Sequence, residues 1–348
     1  MLADAARICL IACDNGLGHV RRVVGVAGEL DRRGARVTVL ARSDQAARFA
    51  WDARHFETRT SSDAFRRASR EACRWHERLP DLGSFDVVVS DNLPEILDCR
   101  ADALLMGSFL WHLVVEGAAP EYIEASRRRF NSRRPIMIGS GLFATAELKE
   151  LTRFVDVGLF AREPLPWREK KDLLLACGRS GSCEPETAEA VCSLVARGPG
   201  PFERVHVEPR MLPDTPPHWM MPADFSPGMY AGLAAAVIRP GVGTLTDAIH
   251  AQCPVYCFYE TGNLEMTQNA RRIADHGLGF DAGSIDRAID EAYRNGAAPA
   301  GDRSDPDVVP GFDGASKAAS YLLTIAERGP DALALVPDSD QCPGENTA

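Results

Sequence analysis

The sequence predicts an α/β protein of two doubly wound, parallel-sheet domains, on three observations. Short apolar runs of strand length alternate with segments whose apolar residues recur at helical spacing. Glycine-bearing turns stand where strand hands over to helix, at residues 16–18, 178–181 and 241–243. The alternation also restarts after Glu163-Pro164-Leu165-Pro166-Trp167, and 348 residues are too many for one ordinary core.

In chain order, residues 7–13 are the first expected strand and 16–18 a turn. A helix over 19–33 follows through Val20, Val23, Val24, Ala27 and Leu30, and Gly34 ends it. Residues 36–41 form the next strand, so the unit is βαβ with a right-handed crossover. Residues 63–78 read as one arginine-rich amphipathic helix, 85–90 as a buried strand ending at Asp91, and 103–111 as a further strand. Shorter strands are expected at 135–138 and 154–157. Beyond the hinge-like 163–167, strands are expected at 172–176, 205–207, 235–238 and 255–258. Helices are expected at 185–197, around 229–233, and at 244–251, 266–276 and 314–328. The domain boundaries are thus 1–163 and 164–313, with 314–328 ending the folded chain and 329–348 a frayed tail.

Composition narrows the function. Hydrophobic residues at 45% and charged residues at 25% are globular values. No apolar run approaches the ~20 residues of a membrane span. The N-terminal apolar stretch is short, lacks a basic lead-in and runs into Asp14 and Asn15, unlike a secretory signal. The expectation is a cytoplasmic protein without a transmembrane segment, which leaves peripheral membrane contact open. A formal charge of −10 argues against nucleic-acid partners. The 10 cysteines are scattered without a Cys-x-x-Cys pair, which suits reduced, buried thiols and no metal site.

Ligands of open parallel sheets bind beyond the carboxyl ends of strands, where helices begin. Asn15, Gly16 and Gly18 lie at such an end, and His19 follows in the first helical turn. An imidazole there can accept the proton of an attacking hydroxyl, although a plain turn capped by His19 accounts for the same residues. Asp91, at another strand end, can orient His19 as a carboxylate orients a catalytic base, or cap a helix. Trp111 and His112 would line an acceptor pocket, against the commoner structural role of a histidine beside aromatics. Arg239-Pro240-Gly241-Val242-Gly243-Thr244-Leu245-Thr246-Asp247 sets two glycines and a threonine at a helix start, whose free N–H groups suit a diphosphate. Asp247 is expected in the first turn, capping the helix or reaching a ribose hydroxyl. Gly178, Arg179 and Ser180 form a looser anion nest. Glu265 can hold sugar hydroxyls or merely complement a helix dipole. The arginines 127–129, 133 and 134 read as a solvated loop, with an anionic or lipid-linked acceptor as the alternative.

Taken together, these residues resemble a known family. Gly16-Leu17-Gly18-His19 with Arg21 or Arg22 is similar to the N-terminal Gly-x-Gly-His turn of family 28-like GT-B glycosyltransferases, the superfamily of the UDP-N-acetylglucosamine-using peptidoglycan enzyme. Residues 239–247 resemble their Arg-x-Gly-x-x-Thr-x-x-acid loop, and 265–270 their acid-Gln-x-x-Asn-Ala helix start, with Asn269 at the Asn position. The resemblance spans residues ~7–280 in order. It implies two Rossmann-like domains facing across a cleft, the donor nucleotide held by the second and the acceptor by the first. It implies residues 241–245 at the diphosphate, Asp247 at the ribose, Phe225 and Met229 by the base, and Glu265 by the sugar. The helix 314–328 would pack back toward the first domain. Donors would be UDP-sugars, with no metal or other cofactor and inversion at the anomeric centre. Three departures stand out: Met266 where the family has Gln, Asp247 where it has Glu, and Asp14-Asn15-Gly16 where it has a glycine run.

The expected activity is therefore sugar transfer from a nucleoside diphosphate to a hydroxyl or amine, with an acceptor of the kind glycosylated in antibiotic biosynthesis. A nucleotide-sugar hydrolase or UDP-sugar 2-epimerase on the same scaffold is the enzymatic alternative. A catalytically degenerate nucleotide-binding partner subunit is the other, and Met266 points to it.

Overall fold

Strands that are apolar on both faces need helices on both faces, and parallel sheets meet that need. The computed structural model describes residues 5–131, 134–162, 168–178, 183–296 and 311–329, and holds two such sheets in two units. Unit 1 is Met1–Phe160 with Asp313–Ala348; unit 2 is Ala161–Phe312.

Unit 1 begins β1 (Arg7–Ile11), α1 (Leu17–Arg32), β2 (Arg36–Ala41), α2 (Ser43–Ala46), β3 (Arg54–His55), α3 (Ser62–Arg66), α4 (Arg70–Cys73) and β4 (Val87–Asp91). It continues β5 (Leu104–Met106), α5 (Trp111–Val114), α6 (Pro120–Asn131), β6 (Ile136–Gly139), α7 (Ala146–Leu151) and β7 (Arg153–Asp156). The sheet order is β3-β2-β1-β4-β5-β6-β7, all parallel. Strand order reverses between β1 and β4, where Ile11 pairs with Ser90. Connections leaving these two strands go to opposite faces, and the gap they leave is where ligands bind in doubly wound sheets.

Unit 2 runs β8 (Asp172–Ala176), α8 (Glu184–Arg197), β9 (Arg204–Val207), β10 (Met220–Pro222), α9 (Pro227–Gly232), β11 (Leu233–Ile238) and α10 (Val242–His250). Then come β12 (Val255–Phe258), α11 (Leu264–Asp275), β13 (Gly279–Gly283) and α12 (Ile285–Asn295). Its parallel sheet is ordered β10-β9-β8-β11-β12-β13, and the reversal falls between β8 and β11, where Ala176 pairs with Ile238. All six residues of β11 are buried, as a central parallel strand requires.

The chain then returns to unit 1 as α13 (Gly314–Arg328). Its Ala318, Ala319, Leu322 and Ile325 join the core that holds Val20, Val23, Val24, Val26, Ala27 and Leu30 of α1. Arg33 crosses the seam, donating to Ser320 Oγ at 2.7 Å and to the Ser316 carbonyl at 3.0 Å.

Two expected elements are corrected. Residues 63–78 are not one helix: Ala68 turns into the left-handed region at φ 45° and the Ser69 N–H folds back to the Ala64 carbonyl, so α3 ends and α4 starts afresh. Residues 103–111 are not one strand: β5 stops at Met106, Gly107 adopts φ 140°, and Trp111 begins a helix. The expected hinge 163–167 and the tail beyond Gly329 lie outside the described residues. Among the described residues no helix is long and apolar enough to cross a membrane.

Candidate active site

In unit 1 the two segments flanking the reversal each supply a titratable side chain. Gly16, at φ 106°, takes the N-cap position of α1 in a conformation that a side chain would strain. No side chain caps this helix, and its first turn holds no acid. His19 sits in that turn, its Nδ1 2.5 Å from Oδ1 of Asp91 at the end of β4. One turn further along α1, Arg22 donates from Nε to Asp91 Oδ2 at 2.8 Å and from Nη2 to Oδ1 at 2.9 Å. Asp91 has no exposed surface at all. Burial alone would raise its carboxyl, but the Arg22 charge, the adjoining His19 ring and the hydrogen bonds from both outweigh it and leave the group below the usual carboxylate range. An ionised carboxylate only accepts, so Nδ1 of His19 carries the shared hydrogen, and in the neutral ring the lone pair is then on Nε2.

The next residue shapes the wall beside His19. Asn92, at φ 55°, turns its amide nitrogen to the carbonyls of Met106 at 3.1 Å and Phe109 at 3.2 Å. A Cβ on Gly107 would land 1.5 Å from that amide, so only glycine fits there. The loop so held brings the Phe109 and Trp111 rings to 6.1 and 6.0 Å from the His19 ring.

Other expected residues of unit 1 have structural duties. Asp14 accepts from the Thr58 hydroxyl (2.6 Å), the Arg59 and Thr60 amides (2.8 and 3.1 Å) and the Thr60 hydroxyl (3.0 Å), which ties the turn containing Asn15 to the loop after β3. His112 is buried on α5, stacked 5.7 Å from Phe130. Burial first, then the charges of Arg127 and Arg129, push it down to about 4, so it is neutral at pH 7. The expected arginine loop is instead the last turn of α6. There Arg129 grips Asp98 through Nε and Nη2, and Arg134 beyond it donates to the carbonyls of Lys149 and Thr152. Arg133 lies outside the described residues.

In unit 2 the reversal places Gly178 after β8 and residues 239–244 after β11 side by side. Gly241 is the N-cap of α10, which has neither a capping side chain nor an acid in its first turn. By contrast, Ser226 caps α9, Asn263 caps α11 and Ser284 caps α12. Gly241, Val242, Gly243 and Thr244 are all partly exposed there.

Four details differ from expectation. Leu245 is fully buried and its N–H bonds to the Gly241 carbonyl at 3.0 Å, so it turns no group to a ligand. Asp247 stands in the second turn of α10, since the helix starts at Val242; it is buried and paired at 2.7 Å with Arg162 Nη2, which also donates to the Phe225 carbonyl at 2.6 Å. Arg239 faces Glu260 at the end of β12 as a two-bond fork, at 2.6 and 2.8 Å, so its charge is already answered. Gly178 turns its carbonyl to Arg210. Arg179 and Ser180 lie outside the described residues.

The remaining candidates frame this end of the sheet. Phe225 holds φ 53° just before α9, which buries Met229. Glu265 lies in the first turn of α11, next to buried Met266, and Asn269 is buried with its amide donating to the Pro240 carbonyl at 3.0 Å. Asn269 thus ties α11 to the β11–α10 loop. Sequence reasoning names Arg22 only as part of a motif, leaves out Arg162, and has Glu260 only as the first of the polar residues 260–270. An arginine one helical turn after a histidine signalled the first; the second and third depend on pairings 85 and 21 residues away. Among the described residues no group of three or more His, Cys, Asp or Glu gathers as a metal would need.

No protein-family model matches the chain, and no curated protein matches its sequence. Solved structures do. The calicheamicin glycosyltransferase CalG4 aligns over 95% of this chain and 99% of its own at 20% identity and a TM-score of 0.55. The spinosyn rhamnosyltransferase SpnG, complexed with spinosyn aglycone, covers 94% and 98% at 16% identity and 0.56. The glycosyltransferase VinC in complex with DTDP covers 93% and 100% at 13% identity and 0.59. With two parallel-sheet units of seven and six strands, the fold of this chain is the GT-B fold of these glycosyltransferases.

Proposed function

We propose that the chain is a glycosyltransferase that moves a sugar from a nucleoside-diphosphate donor to a hydroxyl or amine of a small natural-product acceptor. The observation that carries this reading is the part-buried His19–Asp91 pair at the strand-order reversal of a GT-B unit, with an imidazole nitrogen left to take a proton. The acceptor O–H or N–H gives its proton to Nε2 of His19. A bond then forms from the acceptor oxygen or nitrogen to the anomeric carbon, the bond to the diphosphate oxygen breaks, and the electron pair leaves with the diphosphate. One displacement inverts the anomeric centre. The start of α10, whose N-cap Gly241 has no side chain to occupy it, seats the leaving diphosphate, the helix dipole supplying the positive field without a metal or other cofactor.

Several findings support the reading. SpnG is described with a spinosyn aglycone and VinC with DTDP, a nucleotide and an acceptor of the kinds proposed. The family 28-like motifs argue for UDP as the donor nucleotide, with the donor residues Gly241, Val242, Gly243, Thr244, Glu265 and Asn269 in unit 2 and the acceptor by Phe109 and Trp111 in unit 1. The test is a His19→Ala protein assayed with a panel of nucleotide-sugars. Turnover should fall ~10²–10⁴-fold, the usual worth of a general base. The melting-point rise caused by the nucleoside diphosphate should stay at the wild-type value. Turnover at the wild-type rate would remove His19 from the chemistry.

A further inference from the structure

We propose that Arg22 is the positioning residue of the base: it keeps Asp91 ionised and so locks His19 in the tautomer whose Nε2 can accept a proton. The proposal rests on His19 acting as the base. Asp91 lies wholly out of water, where an isolated carboxylate takes up a proton rather than stay charged. Among the described residues, the charged or titratable groups that act on it most are His19 and Arg22 from α1, and the Cys13 thiol in the segment after β1 senses its charge. Burial holds that thiol protonated, so it contributes no positive charge. Arg22 is therefore the one permanent cation among them.

The geometry explains why this cation matters to the imidazole. Oδ1 of Asp91 accepts from both Nδ1 of His19 (2.5 Å) and Nη2 of Arg22 (2.9 Å), while Oδ2 accepts from Arg22 Nε (2.8 Å). The same Nη2 lies 3.4 Å from Nδ1 itself. Suppose the carboxyl gained a proton. Its O–H would then donate to Nδ1, the ring hydrogen would reside on Nε2, and the lone pair needed for catalysis would be gone. A planar fork that occupies both oxygens opposes that state; an ammonium, with one directed contact, opposes it less. Spacing enforces the arrangement, because residues three apart lie on one helix face. The Phe160 ring lies 6.0 Å from the guanidinium carbon and backs the fork.

The test combines imidazole ¹⁵N NMR on the full chain with pH profiles. In the wild type, His19 should show the Nδ1–H signature. Arg22→Gln should move it to Nε2–H or a mixture, and Arg22→Lys should fall between. In the glutamine variant kcat should drop ~100-fold or more with the donor KM unchanged, and the acid limb of the profile should move up by about one pH unit. Adding Arg22→Gln to Asp91→Asn should do no further harm, since both act through one group. If the glutamine variant does not fold, the lysine variant carries the test. Wild-type tautomer and acid limb in both variants would overturn the proposal. The NMR arm needs no substrate, so a protein that shows the tautomer change but transfers no sugar counts against the proposed activity alone.

Discussion

Arg239 and Glu260 illustrate how a residue can be found by sequence while its pairing is not. Arg239 opens the expected donor loop, and its guanidinium forks onto Glu260, whose Oε1 also accepts from Asn263. The pair joins the loops after β11 and β12. Burial would raise the Glu260 carboxyl, but the hydrogen bonds and charge of Arg239 outweigh it and bring it from 4.5 down to about 2. A depressed carboxylate contributes stability that is complete above pH 4.5 and lost as pH falls toward 2. Glu260→Gln should therefore cost ~3 kcal/mol at pH 7, where it leaves a buried guanidinium without a counter-charge. It should also flatten the acid-dependent loss in that window. Urea midpoints of both proteins at pH 7 and pH 3 check this, and equal pH dependence would mean that the pair is energetically idle. His19 and Asp91 were legible because each ends a strand–turn signal. Arg162 was not, because its partner Asp247 lies across the whole of unit 2's first βα units.

At the scale of elements, periodicity located the central strands and α1, α8, α10, α11 and α13, because those segments are either wholly apolar or strongly two-sided. It failed where two short helices share one apolar face, as α3 and α4 do, and where an apolar run crosses a glycine, as it does at Gly107. α6, α7, α12, β10 and β13 escaped notice as well; β13 reads Gly-Phe-Asp-Ala-Gly, with a glycine at each end that propensity assigns to a turn. Gly107 is the most consequential of these positions, since the loop it opens carries Phe109 and Trp111 to His19. Gly107→Ala would meet both a φ of 140° and the Asn92 amide. A loss of about 2–4 kcal/mol is expected, with weaker acceptor use and unchanged nucleotide binding. Chemical denaturation and KM for acceptor against donor measure the two effects. A fully stable alanine variant would mean that the loop relaxes without Asn92.

On the scale of the whole molecule, the alternation of strand and helix and its restart disclosed two sheets, while strand order within each sheet was beyond reach because it depends on pairings between distant segments. Each unit has its own cores: two clusters flank the sheet of unit 1, and a third of Leu, Val, Ala and aromatic residues lies in unit 2. The last helix belongs to the first of these units, 154 residues after Phe160 leaves it. Leu322, fully buried on α13 in the core that includes α1, is then a probe of unit 1 alone. Leu322→Ala should destabilise unit 1 by about 2–5 kcal/mol, the range for an emptied core leucine. In calorimetry it should lower one melting transition and leave the other in place. UDP or thymidine diphosphate should do the converse, raising the transition of unit 2 through mass action while that of unit 1 stays where it was. Both perturbations moving one shared transition by similar amounts would show that the units unfold as a single cooperative body. In that case the nucleotide seat would be stabilised by a helix that lies outside its own sheet.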